Sequence, residues 1–155
     1  PESGIRYGMA TRDDVLYVPS TDSRDDPTSG EGAPPGLHAI PLDGGTPIWS
    51  VDRVSLCPEP ALCRDEIGAP PLAMEEMLFA GASDGILYAL DRSSGAVLWQ
   101  IETARELTTL SGTTTTGGSI YGTVGPVFAN GRLFVSSGYG QAEIAGNALI
   151  AIAPD

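Results

Sequence analysis

A short apolar strand with an aromatic residue at its centre occurs three times, and this recurrence constrains the fold more than any other feature. The copies are Val15-Leu16-Tyr17-Val18, Met77-Leu78-Phe79-Ala80 and Arg132-Leu133-Phe134-Val135. Two of them lead into a second strand ending in an acidic turn, at 36–45 and 85–95, and 147–155 reads as a third copy cut off at its turn. Each complete copy closes on a tryptophan strand, Thr46-Pro47-Ile48-Trp49-Ser50 and Ala96-Val97-Leu98-Trp99-Gln100. Units of this size cannot bury their apolar surface alone; they must stack on their neighbours.

The physics within one unit points the same way. Period-two alternation puts Leu87 and Ala89 on one face of a strand and Tyr88 and Leu90 on the other. Both faces are apolar, so the strand is expected to be buried on each side. Asp91 to Gly95 supplies an Asx-type turn closed by a glycine that can adopt positive φ, which makes a tight hairpin. The tryptophan beyond it is placed to cover the space between sheets. Four short antiparallel strands per unit, repeating every 40 to 60 residues or so, predict β-propeller blades.

Composition supports an all-β fold. Glycine (20) and proline (13) make up about a fifth of the 155 residues, and charged residues are only 18%. The expected units are about 4–52, 66–103 and 118–155, with an Asp/Gly/Pro-rich insertion at 20–35 and a Gly/Thr-rich loop at 110–123. Residues 102–110 come nearest to a helical pattern, but Thr103, Thr108 and Thr109 argue against one, and the Thr113–Thr116 run reads as loop. The third unit is incomplete, so the chain carries about two and a half blades. Such a piece cannot close a ring, so a partner is expected: the remainder of the propeller, on another chain or in a segment not present here.

Charge excludes several partners. Eight basic residues against 20 acidic give −12, which offers no basic face for nucleic acid and repels an anionic membrane surface. No run of 18 apolar residues is present to span a membrane. The chain opens on Pro1 with no basic leader, as a processed or partial chain would. Cys57 and Cys63 lack zinc-motif spacing, and His38 is the single histidine. A local disulfide in an oxidising compartment is the preferred reading; two free thiols are the alternative. No metal site is assigned: Asp22, Asp25, Asp26 and Glu31 do not have EF-hand spacing and read as a solvated loop. His38 reads as structural or solvated, and Asp84 and Asp91 as turn-forming.

The run Ala82-Ser83-Asp84-Gly85-Ile86-Leu87-Tyr88-Ala89-Leu90-Asp91-Arg92-Ser93-Ser94-Gly95-Ala96-Val97-Leu98-Trp99 resembles the tryptophan repeat of pyrroloquinoline-quinone (PQQ) type propellers, with Ser94 where the repeat has threonine. A narrower likeness covers Thr103–Gly112, Gly117–Gly122, Gly125-Pro126-Val127, Ser136–Gly140 and Gly146–Ala151. These segments resemble the C-terminal part of polyvinyl-alcohol dehydrogenase-like quinoproteins, relatives in which a short-spaced cysteine pair also occurs. Departures are Tyr121, where an acidic residue is usual, one residue added before Gly125, and the insertion at 20–35.

The resemblance implies an eight-bladed propeller in the periplasm or outside the cell. It implies a PQQ-dependent alcohol dehydrogenase that passes electrons to a cytochrome c or a quinone, using calcium held outside this chain. The same repeat also builds non-catalytic scaffolds for protein–protein assembly in the cell envelope. Residues leading into each inner strand border the channel mouth, and three lead-ins are readable: Gly4–Gly8, Arg64–Gly68 and Gly117–Gly122. Expected cofactor contacts are Arg6, Arg64 and Arg105 toward carboxylates, Tyr7 and Tyr121 as ring partners, and Gly117, Gly118 and Ser119 where backbone approaches closely. The catalytic residues are not identified.

Overall fold

Hydrophobic alternation in the middle strands dictates how the sheets stack. The computed structural model describes residues 4–21, 35–56, 67–138 and 144–153. Strands β1 (Ala10–Arg12), β2 (Val15–Ser20), β3 (Gly36–Pro41) and β4 (Trp49–Asp52) pair antiparallel in chain order as a first sheet, followed by one helical turn, α1 (Arg53–Leu56). A second sheet repeats the order with β5 (Leu72–Ala73), β6 (Met77–Gly81), β7 (Ile86–Asp91) and β8 (Val97–Glu102). A hairpin of β9 (Glu106–Thr108) and β10 (Thr114–Thr116) precedes a third sheet of β11 (Val127–Ala129), β12 (Arg132–Ser137) and β13 (Ala148–Ile152). The chain is an all-β partial propeller, as the repeat predicts. Within the stretch read as loop, Thr114–Thr116 pair with Glu106–Thr108 instead. Three β-branched residues in a row suit a pleated edge better than an open coil.

The second sheet is buried on both faces. Leu78, Ala80, Tyr88 and Leu90 pack with Tyr17, Leu37, Ala39 and Trp49 of the first sheet. Their alternates Phe79, Leu87 and Ala89 pack with Ile120, Leu133 and Val135 toward the third. Leu87, Tyr88, Ala89 and Leu90 are all fully buried, which is the two-sided burial expected of this run.

The acidic turn of the second repeat is also a dock for the tryptophan of the first. Asp91 Oδ1 accepts hydrogen bonds from the backbone N–H groups of Ser93 (3.0 Å) and Ser94 (2.8 Å) and from both serine hydroxyls. These bonds, chiefly the two hydroxyls, hold its carboxyl below the ordinary carboxylate value. Gly95 closes the turn at φ +74°, and its bare α-carbon faces the Trp49 ring. A Cβ there would stand 2.7 Å from Trp49 Cε3. The Trp49 indole N–H donates to the Arg92 carbonyl at 3.0 Å. Arg92 itself reaches back to the first sheet, donating to Asp13 Oδ2 (2.7 Å) and the Tyr17 hydroxyl (3.2 Å).

Deeper between the same sheets, the guanidinium of Arg53 is wholly buried. It donates to the Asp84 carboxylate and, at 3.2 Å, to the Tyr88 hydroxyl, with its plane near the Tyr88 ring. Asp84 has a second role at the turn, accepting the Ile86 N–H on Oδ1. His38 is buried in β3 and bonds Ser50 Oγ through Nδ1 at 2.9 Å, a structural role.

Three outcomes follow from this packing. Gly95→Ala combines a positive φ with a collision on Trp49, and should lower unfolding free energy by about 1–3 kcal/mol in chemical denaturation. Asp84→Ala removes the carboxylate facing a buried guanidinium and should lower it by about 3–5 kcal/mol, whereas the double replacement Arg53→Met with Asp84→Leu should recover much of that loss. Because Asp91 titrates lower when folded than when unfolded, it stabilises above its unfolded value, and the contribution disappears as pH falls through the folded one. Replacing Ser93 and Ser94 by alanine should raise the Asp91 pKa, read by carboxyl carbon NMR, and flatten that acid limb.

Candidate functional site

Antiparallel order places the lead-ins of β1, β5 and β11 at one end of the stack, opposite the turn that joins β1 to β2. Pro70 stands between two of them. Gly8 packs on its ring, where a Cβ would be 3.3 Å from Cγ, and Gly125 lies against its carbonyl oxygen. The Gly122 N–H donates to the Gly68 carbonyl at 2.7 Å, the Gly68 N–H to the Gly81 carbonyl at 2.9 Å, and the Ile120 N–H to the Ala82 carbonyl at 3.1 Å. The lead-in of the third sheet is therefore laced onto the second.

This lacing brings aromatic rings from the first and third lead-ins together. Tyr7 and Tyr121 meet edge to face, with centroids 5.0 Å apart and planes at 60°. The Arg6 guanidinium carbon lies 5.6 Å from the Tyr7 ring centroid, within cation–π range. Arg6 is exposed, while both tyrosines are half-buried. A pocket of about 110 Å³ beside them is lined by Tyr121, Thr123, Val124 and Ser136. A cation over one ring of an aromatic pair, at a mouth with a small pocket, suits one end of a flat, negatively charged ligand.

The other expected contacts lie elsewhere. Gly117, Gly118 and Ser119 are buried where the second and third sheets meet. Gly118 N–H donates to Ser137 Oγ (2.8 Å), Ser137 to Thr103 Oγ1 (2.8 Å), and Thr103 to the Gly85 carbonyl (2.7 Å). Ser119 Oγ donates to the Ser83 carbonyl and accepts the Ile144 N–H at 3.0 Å. These bonds fix the third sheet on the second. Arg105 sits at the base of the β9–β10 hairpin, its Nε donating to the Glu102 carbonyl at 3.1 Å. Arg64, Cys57 and Cys63, with Asp22, Asp25, Asp26 and Glu31, lie outside the described residues. Among the described residues no group of three or more His, Cys, Asp or Glu side chains could hold a metal ion, and no helix is long and apolar enough to cross a membrane.

Sequence reasoning did not single out Gly68 or Arg53. Gly68 sits within a recognised lead-in, so its position was visible although its contact was not. Arg53 follows the tryptophan strand, outside the repeated pattern.

Comparison with known proteins places the chain. The family model described as outer membrane protein assembly factor BamB matches residues 2–121 and again 83–148. Curated relatives are the polyvinylalcohol dehydrogenases of a Pseudomonas species (31% identical over 139 residues) and of a Sphingopyxis species (29% over 143 residues). Each alignment takes in 88% of this chain and 21% of the relative, so the chain spans about a fifth of their length. Among solved structures, BamB from Moraxella catarrhalis superposes with a TM-score of 0.53 at 21% identity, covering 93% of this chain and 32% of that one. A quinohemoprotein alcohol dehydrogenase from Comamonas testosteroni superposes at 0.55 and 22% identity, covering 85% and 17%. With the repeat, the stacked sheets and a family match across most of its length, the chain belongs to the PQQ-type β-propeller repeat family whose model carries the BamB description.

Proposed function

We propose that the chain is the C-terminal part of a PQQ-dependent alcohol dehydrogenase of the bacterial cell envelope, which oxidises an alcohol and passes electrons to a cytochrome c or quinone acceptor. The observation that carries this reading is the identity to two polyvinylalcohol dehydrogenases over 88% of the chain. The Arg6–Tyr7–Tyr121 cluster at the lead-in end supports it, because these residue types suit a planar polycarboxylate. In this reading Arg6 binds a carboxylate of PQQ and Tyr7 and Tyr121 orient its rings, with Arg64 and Arg105 as further candidate carboxylate partners. Gly117, Gly118 and Ser119 act through the inter-sheet bonds that hold Tyr121 in place. PQQ, when bound, accepts the electrons of the alcohol; its calcium is held by residues in the rest of the ring. An oxidising location also favours the Cys57–Cys63 disulfide.

A second reading has its own support. The matching family model and the M. catarrhalis structure are assembly factors, so a non-catalytic scaffold that docks envelope proteins is the alternative. Fold alone does not decide between them. Titration of the full-length protein, ring complete, with PQQ and Ca2+ does. The enzyme reading expects saturable binding at micromolar PQQ and dye-linked alcohol oxidation, with Arg6→Ala weakening binding by about tenfold or more through loss of one charge-assisted contact. Absence of binding at those concentrations leaves the scaffold reading standing.

A further inference from the structure

Gly68 meets the tyrosine pair from the second lead-in, and its role there is spatial. A Cβ on Gly68 would stand 2.6 Å from the Ile120 carbonyl oxygen and 3.1 Å from Tyr121 Cδ2. The first is a backbone atom and cannot swing aside as a side-chain tip would. Three ties leave little room for the segment to yield. Ile120 is buried in the core with its side chain packed on the bare α-carbon of Gly81. Its N–H is held by Ala82, and the Gly122 N–H is held by the carbonyl of Gly68 itself. The backbone at 120–122 is thus fixed on either side of Tyr121, at a distance set by the missing side chain of Gly68. Across from it, Tyr7 is placed through Gly8, which rests on Pro70 two residues after Gly68.

We propose that Gly68 is a positioning residue: its bare α-carbon sets where the Tyr121 ring stands against Tyr7, and so sets the shape of the aromatic platform beside Arg6. The proposal rests on the reading of that platform as a cofactor site, but its geometric part is measurable without any ligand. Adding one methyl at residue 68 turns the peptide plane between Ile120 and Tyr121 and with it the Tyr121 edge away from Tyr7, while the Ile120 side chain stays anchored on Gly81.

The test is Gly68→Ala in protein labelled with 3-fluorotyrosine, the Tyr7 and Tyr121 signals being assigned by Tyr7→Phe and Tyr121→Phe. The 19F resonances of Tyr7 and Tyr121 should move while those of the core residues Tyr17 and Tyr88 stay in place. Unmoved Tyr7 and Tyr121 signals, or shifts spread over all the tyrosines, would overturn the proposal. Should Gly68→Ala not fold, the same change on a Tyr121→Ala background decides: recovered folding places the conflict at the Tyr121 ring, and continued failure makes Gly68 a residue of the fold instead. For the ligand, PQQ titrations of the two single variants and the double variant form a cycle. Gly68→Ala alone should weaken binding by about tenfold, and should weaken it no further once Tyr121 is alanine. Additive losses would sink the positioning role. If the unsubstituted protein binds no PQQ, the cofactor reading fails while the fluorine result still judges Gly68.

Discussion

The stack depends on the second sheet being buried on both faces. A sheet with one solvated face tolerates a polar alternate position, whereas the runs Leu78–Ala80 and Leu87–Leu90 at the middle of β6 and β7 have none: Leu78, Ala80, Tyr88 and Leu90 serve one interface and Phe79, Leu87 and Ala89 the other. Each large side chain among them gains about 1.5–3 kcal/mol from leaving water. Small residues interleave with the large ones and let the neighbouring backbone come close. Gly81 is the sharpest case, since a Cβ there would meet the Ile120 side chain. The core thereby takes hold of a loop residue one position before Tyr121, and burial becomes the first determinant of the candidate site.

Apolar contact is not directional, so it fixes that the sheets pack but not their register. Polar groups at the two interfaces supply direction. Between the first and second sheets, Arg53 joins Asp84 and Tyr88, and Arg92 joins Asp13 and Tyr17. Between the second and third, the bonds run from Gly118 through Ser137 and Thr103 to Gly85. The two solutions differ in kind. A buried ion pair such as Arg53–Asp84 must be satisfied on all sides or it destabilises, whereas the hydroxyl relay is neutral and tolerates small shifts. The site-bearing lead-in of β11 hangs from the neutral relay.

Local rules were legible in the sequence; contacts between units were not. The turn at Asp91 to Gly95 could be read because its donors lie two and three residues away, within a pattern that repeats. Two-sided burial of Leu87 to Leu90 could be read from alternation alone. Gly95 as a tryptophan dock could not, since Trp49 lies in the preceding unit and no spacing rule links the two positions. Asp84 was visible as a turn residue, but its bond to Arg53 was not, because Arg53 follows the repeat rather than belonging to it. The lead-in logic picked out Arg6, Tyr7 and Tyr121, which the fold assembles. It also picked out Gly117, Gly118 and Ser119, for which glycine richness gave the close approach but not the approaching group: Gly117 meets the backbone of Thr103 and Gly118 that of Ile144.

The two tryptophans show why sequence position alone does not determine exposure. Trp49 and Trp99 occupy the same register, each opposite an alanine of the preceding strand, Ala39 and Ala89. Trp49 is 9% exposed because the Gly95 turn of the following unit covers it, whereas Trp99 is 36% exposed and has Phe79 as its ring neighbour. The same contrast runs through the third sheet, where Phe128 and Leu149 are exposed and a groove of about 590 Å³ runs beside β13, lined by residues such as Leu110, Ser111 and Leu149. In a stacked architecture the neighbour, rather than the residue, makes a strand core or surface. A site built from three consecutive lead-ins inherits that property: Tyr7, Gly68 and Tyr121 belong to three units, and their geometry exists only while all three sheets are stacked.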